Sequence, residues 1–571
     1  MSPNTSFTKA TLSYPVYAAD FDPYNRGYLL VGGGGGEGRS GVPNKISLLD
    51  VSSRSTLDTV AEADLTSQED AVMTLANLAS KDGLITFSGI NSSEKERVAD
   101  NNQHLRAFQV AYPKKKSQGS KKSEKQSKGN ISFLSKTSLF TSPKNEIVKK
   151  DNYQRLLRLS PAQKRDGGHK RIGAIATGLN PESELVVFNA TSNAPSEADV
   201  IYRIHPKEGA DVNDVDIYEP SEGHFNVAYC TDRQVFIYDI AYDFRNKRAT
   251  SVTSSNEFVP AYTLPFPDVF KGGPRPTIKY LRWLTPTHLL LCCNLPQRKG
   301  AELLVLHTHP TGPGEVILKK KLPTRIKAAG GMDVCSLDAD PETGARQVVV
   351  AIAGHDIAIH VWTLDYSGPK TDTISRFRSC TTLQDVHPLQ MTKVVFSPFY
   401  SPWPPKSKNG SAPKRPGPQY LQLASTSLGN TVVVDTFSLT PVAPKKPYSR
   451  YVLSTQKSAL VNTGVPLFVA GFALLVTLML LQSYLDLQSG GVGESNIQLL
   501  PQGLRDAFAK MQPKLPPGAR EPVVQDEQAT SSVIVEEPTA SSMIVDEQTA
   551  TSAIVDAMPD IDAIVSEVPG A

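Results

Sequence analysis

The 571 residues hold little of what a metal, redox or hydrolytic enzyme needs. There are five cysteines, Cys230, Cys292, Cys293, Cys335 and Cys380, with no C-x-x-C pair or zinc-ligand spacing among them. Each lies in or beside an apolar run, which predicts buried free thiols and a reducing compartment. No His-Glu-x-x-His, Gly-x-Ser-x-Gly or phosphate-loop Gly-Lys-Ser/Thr occurs. Metalloprotease, serine-hydrolase and P-loop nucleotidase readings therefore have no footing. His355 and His360 are five apart and fall on opposite faces of a strand, a poor metal pair. From Tyr14 to Leu439 there is almost no helical periodicity, and Met1–Ala10 lacks the apolar core of a signal peptide.

Charge is missing altogether between Lys457 and Asp486, and within that gap Val465–Leu481 is apolar apart from Thr477 and Gly471. About 20 residues at about 1.5 Å each cross a hydrocarbon core, so this is a transmembrane candidate. Its near flank carries Lys445, Lys446, Arg450 and Lys457; its far flank begins with Asp486 and Glu494. The positive-inside rule then puts the N-terminal part in the cytosol, as a single-pass type II protein. From Asp486 onward there are 14 acids and 4 bases, a net of −10, so the first 485 residues carry +13 of the overall +3. The acidic end repeats Ile-Val pairs every ten residues, at 534, 544, 554 and 564, and cannot bury a core.

What is abundant is short β-like runs in a recurring strand–turn–strand–turn–strand unit. The clearest copy is Met391–Pro398, Leu421–Ser427 and Asn430–Asp435. Others span Tyr17–Val51, Val72–Val110, Tyr153–Asn189, Asp214–Ile240, Ile278–His307 and Val334–Leu364, which makes seven. The rhythm is that of a WD-type propeller, predicting an all-β, seven-bladed ring. Lys114, Lys115, Lys116, Lys121, Lys122, Lys125 and Lys128 crowd a polar insert. Its composition predicts disorder, and the lack of interleaved aromatics argues against nucleic acid as a partner.

One stretch stands apart. Gly32–Gly36, Gly38 and Gly41 put seven glycines into ten residues between two apolar strands, Tyr28–Val31 and Ile46–Val51. A hairpin needs only about two to five loop residues. Gly33, Gly35 and Gly38 match G-x-G-x-x-G, but a strand rather than a helix follows, which rejects a dinucleotide site. A cation-binding loop, a tip that enters a partner, and a plain surface insert remain.

Tyr14–Phe21, Leu29–Gly38 and Gly41–Lys45 together resemble the Sec-twelve and prolactin regulatory element-binding family, the ER-membrane guanine-nucleotide exchange factors that start COPII coat assembly. The resemblance implies that this loop binds a potassium ion and reaches a small GTPase of the COPII coat, in its GDP and nucleotide-free forms. It implies Gly33, Gly34, Gly35, Gly36, Gly38 and Gly41, mostly through carbonyls, and Asn44 as the cation ligands. Glu37, Val42, Pro43 and Asn44 would face the GTPase, although Glu37 reads equally as a solvent-facing turn acid. Such a loop lies outside the core, so Asn44→Ala is expected to abolish exchange with stability nearly unchanged. The rival reading is an ER-anchored propeller scaffold that docks coat or tethering proteins. The implied layout is an N-terminal extension 1–13, a cytosolic propeller 14–440 with a disordered insert at 112–150, a linker 441–461, a transmembrane helix 462–484 and a disordered luminal tail 485–571.

Overall fold

The structure is a computed structural model. It describes residues 5–488 except 39, 81–82, 114–127, 144–148, 150, 164–169, 179–181, 208, 255–258, 267–273, 310–311, 403–416, 444–448 and 455. The chain divides into two compact units, Met1–Val469 and Ala470–Ala571.

In the first unit the described residues form seven antiparallel sheets. Blade 1 runs Val16–Phe21, Tyr28–Gly33, Asn44–Asp50 and Asp58–Leu65. Blade 2 runs Thr74–Ser80, Gly83–Gly89, Leu105–Ala111 and Asn130–Thr137. Blades 3 to 6 repeat the plan with inner strands Tyr153–Leu159, Asp214–Ser221, Thr277–Thr285 and Ala329–Ser336. Blade 7 has Met391–Phe396, Gln419–Ser427 and Thr431–Pro441, and its fourth strand is Thr5–Thr11 from the other end of the chain.

Burial explains the pattern. Middle strands are covered on both faces by neighbouring blades and read as continuous apolar runs; Leu289, Leu290, Leu291, Cys292 and Cys293 are all fully buried. Fourth strands face water on one side and alternate, as Glu315–Lys321 does between exposed and half-buried residues. Buried and half-buried aspartates tie blade to blade. Asp20 accepts a hydrogen bond from the Asn77 amide at 2.7 Å, Asp216 from Trp283 at 2.8 Å and Asp333 from Phe396 at 2.8 Å. Arg282 spans two junctions, 2.5 Å from Asp214 and 3.3 Å from Asp333. The five cysteines are free; Cys380 is half-buried and the rest buried, and burial pushes the Cys292 and Cys335 thiols up to about 12.

Two sequence expectations change, and a third is left untested by the described residues. Residues 5–11 are not an appended extension but the strand that closes the ring, paired from Thr5↔Phe437 to Thr11↔Thr431. The stretch 112–150 is not uniformly irregular: Asn130–Thr137 is the fourth strand of blade 2, and the lysine run before it lies outside the described residues. Among the described residues no helix is long and apolar enough to cross a membrane. The expected span 462–484 falls in a helix, Gln456–Gln488, but its side chains before Val469 lie outside the described residues and the remainder is too short to count as a crossing. The tail from 489 onward also lies outside them.

Candidate functional site: an ordered glycine loop

Gly34–Pro43 joins the second and third strands of blade 1. Its base is built into the sheet. Gly33 pairs with Lys45, and the Gly34 amide donates to the Pro15 carbonyl at 3.0 Å. Gly34 has φ +142°, and a Cβ there would sit 2.1 Å from Asn44 Oδ1 and 2.5 Å from its Cα. Only glycine lets the loop lie this close to Asn44.

Asn44 is 0% exposed and fully employed. Its Oδ1 accepts from the Gly36 amide at 2.9 Å. Its Nδ2 donates to the carbonyls of Thr66 and Glu69, both at 3.0 Å, with those of Gly36 and Asp70 at 3.4 and 3.5 Å. Four carbonyl oxygens thus converge on one point. The second wall is fixed in turn: Arg106 clasps the Glu69 carboxylate through two contacts, at 2.5 and 2.8 Å. Asp70 caps its own turn through the Ala71 amide at 2.8 Å and lies beside Gly36.

The far end of the loop leans on blade 2. The Gly38 amide donates to the Ser67 carbonyl at 3.4 Å. Glu37 accepts from the Glu94 amide at 2.7 Å and lies 4.0 Å from Arg97. Both belong to a five-residue helix, α1, Glu94–Val98, whose N-cap Ser93 accepts from the Glu96 amide. Glu37 therefore satisfies a helix N-terminus within its own chain. Val42 is half-buried against the cluster that holds Tyr14, Val16 and Leu29, and Pro43 is half-buried beside it. The exposed surface is left to Gly35, Glu37, Gly38, Ser40 and Gly41.

Of the predicted cation ligands, then, the structure brings Gly36 and Asn44 to one point; Gly33 serves the sheet, and Gly38 and Gly41 form the tip. Sequence reasoning missed the partners from 66–70, because every residue has a carbonyl and nothing in a side chain marks the ones that converge. It also missed α1, for which Ser93-x-x-Glu96 was a usable capping signal. The arrangement offers hard oxygens to a cation and a nearly bare backbone to a partner. It presents no nucleophile paired with a base.

Fold and site together define a seven-bladed β-propeller with a pinned glycine loop on one face. The chain is 23% identical over 398 residues to the guanine nucleotide-exchange factor SEC12 of Candida glabrata, covering 68% of this chain and 67% of that one. No family profile matches. Among solved structures it is similar to Chaetomium thermophilum Sqt1, with TM-score 0.41 and 12% identity, over 77% of this chain and 98% of that one. It is also similar to Kuenenia stuttgartiensis hydrazine synthase, with TM-score 0.38 and 11% identity, over 74% and 96%.

Proposed function

We propose that this protein is a guanine-nucleotide exchange factor for the small GTPase that starts COPII assembly, anchored in the ER membrane with its propeller in the cytosol. The observation that carries the reading is the glycine loop: its base is locked by Asn44 and its exposed part is rich in glycine. The similarity to a named exchange factor supports it. Exchange needs no bond-breaking. It needs a surface that binds the nucleotide-free GTPase better than the loaded form, so that factor and nucleotide weaken each other. In the tip, Gly38-Arg39-Ser40-Gly41, the glycines let the backbone approach a phosphate and magnesium site closely.

A potassium ion at the loop base is part of this reading. The carbonyls of Gly36, Thr66, Glu69 and Asp70 lie within 3.5 Å of Asn44 Nδ2, which donates to them. Asn44 occupies that point itself, so the ion would sit beside it on the second lone pairs of those carbonyls. Bound there, it supplies a fixed charge that stiffens the loop and lowers the entropy lost on docking. Membrane attachment rests on the uncharged run after Lys457 and on the helix that contains it, where Phe472, Leu474 and Leu480 are each more than 60% exposed.

The test is release of labelled GDP from the COPII-initiating GTPase by the full-length protein, in potassium and in lithium at equal ionic strength. Acceleration in potassium that falls in lithium is expected. No acceleration in either salt contradicts the reading and favours the scaffold. Digestion of the propeller by protease added outside sealed ER vesicles tests the topology; a protected propeller contradicts it.

A further inference from the structure

The glycine loop joins second to third strands, so it lies on one face of the ring. A separate cluster lies on the opposite face, where first-to-second and third-to-fourth connections emerge. In blade 5 the turn Thr285-Pro286-Thr287 delivers His288 to the start of strand His288–Asn294, directly across from His307 at the end of Ala301–His307. Cross-strand partners share a face, and the two imidazole centroids are 4.7 Å apart. Asp372 reaches over from blade 6, in the connection between Ile359–Tyr366 and Arg378–Leu383. Its carboxylate oxygens lie 3.1 Å from His307 Nε2 and 3.8 Å from His288 Nδ1. One donor atom from each of the three lies within 4.8 Å of the others. His309, two residues on from His307 and exposed, has its ring 4.7 Å from that of His307.

Two further observations bear on this cluster. His288 is 0% exposed; its Nδ1 faces Asp372, while its Nε2 has no hydrogen-bond partner, so one nitrogen of a buried ring is uncommitted. The carboxylate is also oriented from behind, accepting from Thr287 Oγ1 and from the Tyr366 hydroxyl, both at 2.8 Å, as outer partners of metal ligands do.

We propose that His288, His307 and Asp372, with His309 closing the set, form a site for a late first-row divalent cation, zinc in particular, that staples blade 5 to blade 6. Bonds of about 2.0–2.1 Å in a tetrahedron place neighbouring donors about 3.3 Å apart; the two distances to Asp372, 3.1 and 3.8 Å, bracket that value, and the set as a whole, within 4.8 Å, closes by small side-chain shifts. Two or three imidazoles and one carboxylate suit zinc and disfavour calcium or magnesium, which take oxygen donors. Thr285 and Thr287 hydroxyls share His288 Nδ1 at 2.8 and 3.0 Å.

The experiment uses untagged full-length protein stripped with a chelator and titrated with zinc by calorimetry, with melting followed in parallel. The wild type is expected to take up one zinc per chain and to melt higher with it. His307→Gln and Asp372→Asn are expected to lose at least about tenfold in affinity, the scale on which even outer partners act. His309→Gln alters an exposed residue, so it decides the matter if the two half-buried variants fail to fold, and it too is expected to weaken binding about tenfold. A wild type that takes up no zinc overturns the proposal. So does zinc uptake that His309→Gln and the folded variants leave unchanged, which would place the metal elsewhere and leave Asp372 a purely hydrogen-bonded strut.

Discussion

Asn44 donates its side-chain amide to the main-chain carbonyl of Glu69 at 3.0 Å, and through that bond the glycine loop of blade 1 is fastened to the segment that leads into blade 2. The position is thus structural as well as functional, unlike the expectation that loop residues lie outside the core. Asn44→Ala leaves the Gly36 amide and the carbonyls of Thr66 and Glu69 without their partner. A fully buried group left unpaired costs about 1–3 kcal/mol; Gly36, Thr66 and Glu69 are half-buried or exposed, so each group is expected to cost less. A measurable drop in denaturation free energy is expected together with lost exchange activity, and unchanged stability would show that the loop is not held this way.

Glu37 separates positioning from stability. It is exposed, and its bonds to the Glu94 amide and Arg97 are at the surface. Glu37→Ala is expected to change stability by no more than about 0.5 kcal/mol, the usual range for surface sites, and to slow nucleotide release by loosening the tip. Equal release rates for variant and wild type would reduce Glu37 to a solvent-facing cap.

Arg282 answers two buried carboxylates, Asp214 and Asp333. Arg282→Met removes the cation and leaves both acids without it. Breaking a buried pair from one side costs about 3–5 kcal/mol, and urea unfolding is expected to show a loss of that order. A loss below about 1 kcal/mol would mean that the central charges do not bind the blades together.

His104 predicts an acid limb in the stability profile. It is 0% exposed; its Nδ1 is 3.0 Å from Gln154 Oε1 and its Nε2 accepts from the Leu139 amide at 3.0 Å. Burial pushes its pKa from 6.5 down to about 4, against the Gln154 bond. Below 6.5 the unfolded chain takes a proton that the folded chain refuses. The stabilising contribution is therefore complete above that pH and is lost as pH falls toward about 4. His104→Gln cannot take the proton, so the gap in melting temperature between wild type and variant is expected to narrow over that interval. A constant gap would contradict the assignment.

The ring was legible because middle strands carry unbroken apolar runs, Leu289–Cys293 and Val348–Ala353 among them, as doubly covered strands do. Fourth strands were not legible. Glu315–Lys321 carries charges on a face open to water, and Asn130–Thr137 follows directly on a lysine-rich stretch. Thr5–Thr11 has its partner at the other end of the propeller, beyond any local pattern. The glycine count marked the loop, but the atoms that order it are main-chain oxygens of 66–70 and a five-residue helix. Backbone convergence leaves no composition signal. His288 and His307 sit 19 residues apart in sequence and become neighbours only through strand register.

The central claim is that the loop tip itself releases the nucleotide. Gly38 is exposed, has φ +134° and has nothing within 4 Å of a Cβ built on it. Gly38→Val strains the tip without touching the core. The decisive measurement is the rate of labelled-GDP release from the GTPase with full-length wild type and with Gly38→Val at equal concentration. The account predicts at least about a tenfold slower rate, about 1.4 kcal/mol of lost coupling, with no more than a small drop in melting temperature from the strained tip. Wild-type release by a folded Gly38→Val protein would contradict it.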